Sequence, residues 1–330
     1  MKVGISGEVR FSVTDSNGDI RFDTGYQSNL ILDQGLDFFG GGKGNRINEY
    51  CLIGAGNSSP EATQTELDSL IKSSPSIVTT NDYTYTDDGD GLYKFWEEKK
   101  YRFEKLGAVN ISEVGLASVY KSTSDYYLTT RTLVKDSLGS PTTISLKEGE
   151  ILDVFYKVHK QYSTLDEVFQ VNLSDGEGGV ELFNVTTRPI AVGSGTRGNN
   201  DVSSPLKVVT DTTRNKVSFS NKDFVAFTST SMSQENFILS SDIKLNPYVQ
   251  GSFKRVARFE VGIDAANIEL GIRRMFYLLT DPYSGSSAIP FLPLQVRFGS
   301  VADDSPIFKT DKDFLEIPIE YSWGRVEEEV

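Results

Sequence analysis

Glu8-Val9-Arg10-Phe11-Ser12-Val13 alternates polar and apolar side chains, and Asp15-Ser16-Asn17-Gly18-Asp19 follows closely. Strict alternation puts Val9, Phe11 and Val13 on one face of an extended segment and Glu8, Arg10 and Ser12 on the other, which marks a half-buried strand. Asn-Gly accepts the positive φ of a tight hairpin turn, so the chain reverses there and Ile20 and Phe22 begin the return strand. The same period of two recurs in Leu152, Val154, Tyr156 and Val158, and again in Leu315, Ile317, Ile319, Tyr321 and Trp323. Pro318 lies inside that last run and cannot donate to a ladder, which predicts an edge or a bulge there.

Helix signals are few. Ser59 can cap, Pro60 suits a first helical position, Glu61 falls in the first turn, and Leu67, Leu70 and Ile71 share a stripe. These predict one short helix near 60–71. A second, shorter candidate spans about 30–38.

Parts of the first half reappear in the second. Arg102-Phe103-Glu104 matches Arg258-Phe259-Glu260, and Asn110-Ile111-Ser112-Glu113-Val114-Gly115 matches Asn267-Ile268-Glu269-Leu270-Gly271 with one gap. The order is the same in both halves, which points to an internal duplication. The fold expectation is therefore all-β, with two tandem β-sandwich-like domains: 1–160, carrying the short helix, and 161–330, its diverged repeat.

Composition removes several function classes. The chain has 330 residues, 33 Lys and Arg against 46 Asp and Glu, and a net charge of −13. That balance opposes binding to nucleic-acid phosphates and to anionic lipid. The 20 Phe and 15 Tyr argue for folded cores rather than disorder. A single cysteine, Cys51, excludes an internal disulfide and Cys-rich metal sites, and is expected to be an inert core thiol. A single histidine, His159, leaves little for Ser-His-Asp, Cys-His or histidine–metal chemistry; it is expected on the wetter strand face near Asp153 and Lys157. The Met1-Lys2-Val3-Gly4 start carries no signal-peptide core, and no apolar run approaches the ~20 residues of a membrane span. The expectation is a chain made in a reducing cytoplasm.

Four local patterns offer chemistry. Thr86-Asp87-Asp88-Gly89-Asp90-Gly91, with Glu97 further on, supplies Asp88, Asp90 and Glu97 at ligand positions of an EF-hand loop, though the first Asp is absent and both flanks read as strands. An acidic hairpin tip is the plainer reading, with calcium the one candidate cofactor. Gly54-Ala55-Gly56 begins like a dinucleotide fingerprint but lacks the third glycine and the βαβ context, so a structural turn is expected. Gly40-Gly41-Gly42-Lys43-Gly44-Asn45 lacks the Ser or Thr of a P-loop and reads as a flexible loop. Glu97 and Glu98, beside Trp96, are the carboxylate pair to inspect for sugar hydrolysis.

One further set of residues carries a resemblance. Asp23-Thr24-Gly25-Tyr26-Gln27-Ser28-Asn29-Leu30-Ile31-Leu32-Asp33-Gln34-Gly35-Leu36-Asp37, then Ile53 to Pro60, Thr63 to Leu67, Asn110 to Gly115, Arg131 to Asp136 and Pro141 to Ile144, resembles a group of tailed-bacteriophage virion proteins described as tail, tail-fibre or neck-associated. The resemblance covers about residues 1–160. It implies a non-enzymatic structural component of the virion, assembled in the bacterial cytoplasm with copies of itself and other virion proteins, without nucleic acid or membrane. It brings no catalytic residues. Within that frame Asn29, Leu30, Asp33, Gly40 and Lys43 are the expected partner contacts. The alternative is a receptor- or carbohydrate-binding tail-tip protein taking a host surface glycan, with Tyr83, Tyr85, Tyr126, Tyr127 and Tyr283 as candidate stacking residues. A polysaccharide-degrading enzyme is the third reading.

Overall fold

The Asp15–Asp19 reversal forms as the sequence predicts. Asp15 Oδ1 accepts from the backbone N–H of Asn17 at 2.8 Å and of Asp19 at 3.0 Å, and Gly18 takes a φ of 91°. The computed structural model describes residues 2–40, 47–82, 89–119, 126–174, 179–189, 215–226, 242–279 and 294–326. In chain order the elements are β1 (Lys2–Thr14), β2 (Ile20–Ile31), α1 (Asp33–Gly40), β3 (Tyr50–Gly54), β4 (Leu70–Asp82), β5 (Leu92–Phe103), β6 (Val109–Ile111), β7 (Glu113–Val119), β8 (Tyr126–Leu128) and β9 (Thr130–Leu133). They continue as β10 (Ile144–Leu146), β11 (Ile151–Ser163), β12 (Glu167–Ser174), β13 (Val180–Pro189), β14 (Asn215–Ser220), β15 (Asp242–Leu245), β16 (Lys254–Val261), β17 (Arg274–Leu279), β18 (Leu294–Ser300) and β19 (Leu315–Arg325). The described residues are nearly all β, at 60% strand and 3% helix.

In the first half one sheet closes on itself. Its ring runs β1-β2-β9-β7-β3-β4-β5-β11 and returns to β1, eight strands with every neighbouring pair antiparallel. Closure removes the free edges that an open sheet would leave. The predicted alternation sets the inward face. Val3, Ile5, Val9, Phe11 and Val13 of β1 are fully buried, as are Leu152, Val154 and Tyr156 of β11. Val9 pairs with Tyr156, Phe11 with Val154 and Val13 with Leu152, so the two alternating strands lock face to face.

Strands from the second half extend this sheet. Residues Lys2–Ile5 of β1 pair in parallel with Ser322–Arg325 of β19, which pairs with β16 and then β15. Pro318 is paired with Arg258 of β16 on one side, and the β1 ladder begins only at Ser322, so among the described residues the proline sits where β19 is locally an edge. A separate five-stranded sheet runs β12-β13-β18-β17-β14. β11 runs through residue 160. Of the two repeated motifs, Phe103 and Phe259 are both fully buried in strands β5 and β16. Asn110–Gly115 lies along β6 and β7, whereas Asn267–Gly271 is an irregular connection ending in Gly271 at φ 77°.

The helix is a correction. It occupies Asp33–Gly40, close to the shorter candidate, and residues 60–69 form an irregular segment that leads into β4. The reason is a buried ion pair. Glu113 and Arg131 are both 0% exposed, at 2.8 Å from each other. Glu113 Oε1 accepts from the N–H of Gly56 and Ser69, and its Oε2 accepts from the N–H of Asp68 and from Arg131 Nε and Nη2. Arg131 Nη1 donates to Gln64 Oε1 and Nη2 to Asp68 Oδ2, each at 2.8 Å. The Asp68 and Ser69 amides that a helix would aim at Gln64 and Thr65 carbonyls go to the carboxylate instead. Local helix propensity gives way to a long-range charge.

Candidate functional site

β1 changes neighbours in its first turn of pleat. Ile5 is its last partner of β19 and Gly7 its first partner of β2, so the two flanking strands part at Ser6. A cleft of about 780 Å³ opens at that fork. Asn29 and Leu30 of β2 line it, with Arg325 at the end of β19 and Val326 after it, Arg131 to Leu133 of β9, and Lys94, His159 and Lys160 of β5 and β11. Its charged lining is cationic apart from Glu8, on a chain of net charge −13.

Five of these side chains are held by residues of this chain. Glu8 Oε2 meets His159 Nε2 at 2.8 Å. Arg325 Nε donates to the Ile31 carbonyl and its Nη2 to Asp33 Oδ1, both at 2.5 Å. Lys94 pairs with Asp90, and Arg131 with Glu113 and Asp68. The Asn29 amide on β2 differs: its Nδ2 and Oδ1 line the cleft and are buried without a protein partner. Buried amide atoms cost free energy unless bonded, so this wall suits a water or small polar group that can donate and accept.

Of the expected partner contacts, the structure brings Asn29 and Leu30 to the cleft, and Asp33 to Arg325 across its margin. Gly40 ends α1, and Lys43 lies outside the described residues. The neighbourhood of α1 binds the chain's own second half. Asp37 Oδ1 accepts from Tyr248 Oη at 2.6 Å and from the Gly251 N–H at 2.7 Å. Trp323 Nε1 donates to the Leu36 carbonyl at 2.8 Å, and its ring stacks on Tyr248. Gly35 permits this seat for α1, since a Cβ there would lie 2.2 Å from the Thr129 carbonyl oxygen.

The calcium candidates separate. Asp88 lies outside the described residues. Asp90 accepts from the Leu92 N–H and pairs with Lys94; the Lys94 bond is the chief cause holding its carboxyl below the usual range. Glu97 is buried, with Asn48 Nδ2 donating to it at 2.6 Å and Lys99 Nζ at 3.5 Å. Among the described residues no group of three His, Cys, Asp or Glu side chains could hold a metal.

The carboxylate pair does not converge either. Glu97 points to the barrel interior, while Glu98 on the opposite strand face contacts Tyr26 and Lys157. Consecutive strand residues face opposite ways, so these two cannot flank one bond. His159 is on the wetter face, where its partner is Glu8. Cys51 is fully buried, and burial pushes its thiol pKa up. Tyr126 is tied to Ser73 Oγ at 2.6 Å and packs on Tyr50, and Tyr127 packs on Phe38. Tyr83, Tyr85 and Tyr283 lie outside the described residues. Among the described residues no helix is long and apolar enough to cross a membrane.

Sequence reasoning missed the Glu113–Arg131 centre. Its signal was present: a charged residue opening the apolar run Val114-Gly115-Leu116, and an arginine inside Thr130-Arg131-Thr132. Gly54 and Gly56 belong to it. A Cβ on either would lie 2.4 Å from Glu113 Oε1, so the glycines make room for a carboxylate rather than for a phosphate. Comparison with family models, with curated proteins and with solved structures finds no match to this chain.

Proposed function

We propose that the chain is a non-enzymatic structural component of a tailed-phage virion, in the tail, neck or fibre region. It acts by rigid assembly with copies of itself and with other virion proteins, built in the host cytoplasm without nucleic acid or membrane. The observation that carries the assembly part is the outer hairpin of the five-stranded sheet. On β12 and β13, Val168, Phe169 and Val180 are 64%, 48% and 66% exposed where β12 is, among the described residues, the outer strand of its sheet. Apolar side chains beside unpaired backbone are a template for another chain. The virion part draws on the resemblance within residues 1–160. Derivation of the two halves by duplication draws on the shared Arg-Phe-Glu strands.

The alternative, a receptor or glycan binder, draws on the cleft at the β1 fork, where the Asn29 amide can donate to and accept from hydroxyl groups.

Immunogold electron microscopy of source virions with antibody against this chain tests the reading. Label at the neck or tail is expected. Label at fibre tips alone favours the alternative, and no label on intact, denatured or sectioned particles refutes the virion reading.

A further inference from the structure

We infer that β12 is the seam of a two-fold dimer, in which two copies of this chain pair their β12 strands antiparallel with Val171 opposite its own counterpart. The inference rests on the assembly reading above and names its first contact.

β12 is the outer strand of its sheet and, among the described residues, pairs only with β13. That pairing is regular from Glu167↔Thr187 to Ser174↔Val180. Natural edge strands are commonly blunted by lysine, proline or a bulge. Val168-Phe169-Gln170-Val171-Asn172-Leu173 has no charge and no proline, and its ladder has no register shift. On a chain of net charge −13, two copies approach with least repulsion along such a neutral edge.

The two faces of β12 then select the register. Phe169, Val171 and Leu173 share the face of Phe183 and Val185, which are both 3% exposed, and Val171 and Leu173 pack partly into that core. Val168, Gln170 and Asn172 occupy the outer face, where Gln170 Nε2 donates to Asn184 Oδ1 at 3.1 Å. A two-fold axis perpendicular to the sheet keeps each face on its own side, so the axis must pass midway between two copies of one residue. With Val171 on the axis, Phe169 faces Leu173 of the second copy twice over, and Gln170 faces Asn172. Apolar meets apolar and amide meets amide, so the core continues across the seam. The neighbouring choices are worse. An axis at Gln170 sets Glu167 against Leu173, and an axis at Asn172 leaves Phe169 opposite no residue of β12.

The test uses the full chain. Light scattering across a dilution series is expected to give twice the chain mass at the concentrated end. Val171→Cys is expected to form a disulfide dimer on oxidation, because directly opposed antiparallel Cα atoms stand about 4.5–5.5 Å apart, within disulfide reach. Cys51 is fully buried and does not compete. Phe169→Cys alone should not cross-link, since four residues of offset separate its two copies by about 14 Å. Phe169→Cys mixed with Leu173→Cys should cross-link. Gln170→Lys with Asn172→Lys, both on exposed positions, is expected to give monomer with an unchanged circular dichroism spectrum. A folded wild-type monomer at every concentration, or equal cross-linking by Phe169→Cys alone, overturns the seam. Neither result touches virion labelling, and a missing label would leave an observed dimer standing, so the two readings fail separately.

Discussion

Replacing Glu113 by glutamine changes one atom and reverses the logic of the buried centre. Both carboxylate oxygens receive only donors, Oε1 from Gly56 and Ser69 and Oε2 from Asp68 and Arg131. A glutamine can satisfy one of these sets with its oxygen. Whichever way the amide turns, its NH2 meets the N–H groups of the other set. Arg131, at 0% exposure, also loses its buried counter-charge and keeps only Asp68, which is itself partly exposed. Removing one member of a buried ion pair costs about 3–5 kcal/mol. At roughly 2.1 cal/mol/K per residue, 330 residues give an unfolding entropy near 0.7 kcal/mol/K, so that loss lowers Tm by about 4–7 °C. Urea and thermal unfolding followed by circular dichroism measure the change, with the exposed Glu104→Gln expected within about 0.5 kcal/mol of wild type. Hydrogen exchange supplies the local readout: the Gly56 and Ser69 amides should lose protection selectively. A loss under about 1 kcal/mol with both amides still protected would refute the claim that Glu113 organises residues 54–69.

Gly56→Ala places a Cβ 2.3 Å from the Asp68 Cβ and 2.4 Å from Glu113 Oε1, and should cost about 1–3 kcal/mol in urea unfolding, while Gly262→Ala, which meets nothing within 4 Å, should be near neutral. Trp323→Phe removes the donor to the Leu36 carbonyl, a loss expected at about 1–3 kcal/mol with faster hydrogen exchange in α1; unchanged exchange would count against this tie. Burial tends to raise the Asp153 carboxyl, but hydrogen bonds from Arg102 and Lys100 outweigh it and hold the pKa below its usual value. Its stabilisation is therefore complete above about pH 3.9 and is lost as pH falls through the lower folded value. Asp153→Asn should weaken the protein at pH 7 and narrow its gap to wild type in acid, as read from urea midpoints at both ends. Cys51 should ignore a thiol reagent in the native chain and react fully in denaturant; native labelling at comparable speed would contradict its burial.

Nearest-neighbour patterns were readable in the sequence because they are local. Alternation of two fixes which side chains of β1, β11 and β19 turn inward, and Asn17-Gly18 fixes where the chain turns, whatever lies elsewhere. Pro318 announced its own unpaired side for the same reason: a missing N–H is a property of one residue. What only the tertiary structure decided depends on partners far along the chain. Residues 60–69 carry every local mark of a helix, yet Glu113 and Arg131 draw their backbone into an irregular path. Closure of the sheet turns on β11 meeting β1, and no strand's own periodicity states which strand it will pair with. Asn29 and Asp33 were expected from the sequence as partner contacts, but the fork between β2 and β19 brings Asn29 to a cleft and sets Asp33 against Arg325. Glu97 and Glu98 stand side by side in the sequence and on opposite faces in space, because the pleat separates consecutive side chains. Sequence fixes the face a residue presents; only the folded chain fixes what that face meets.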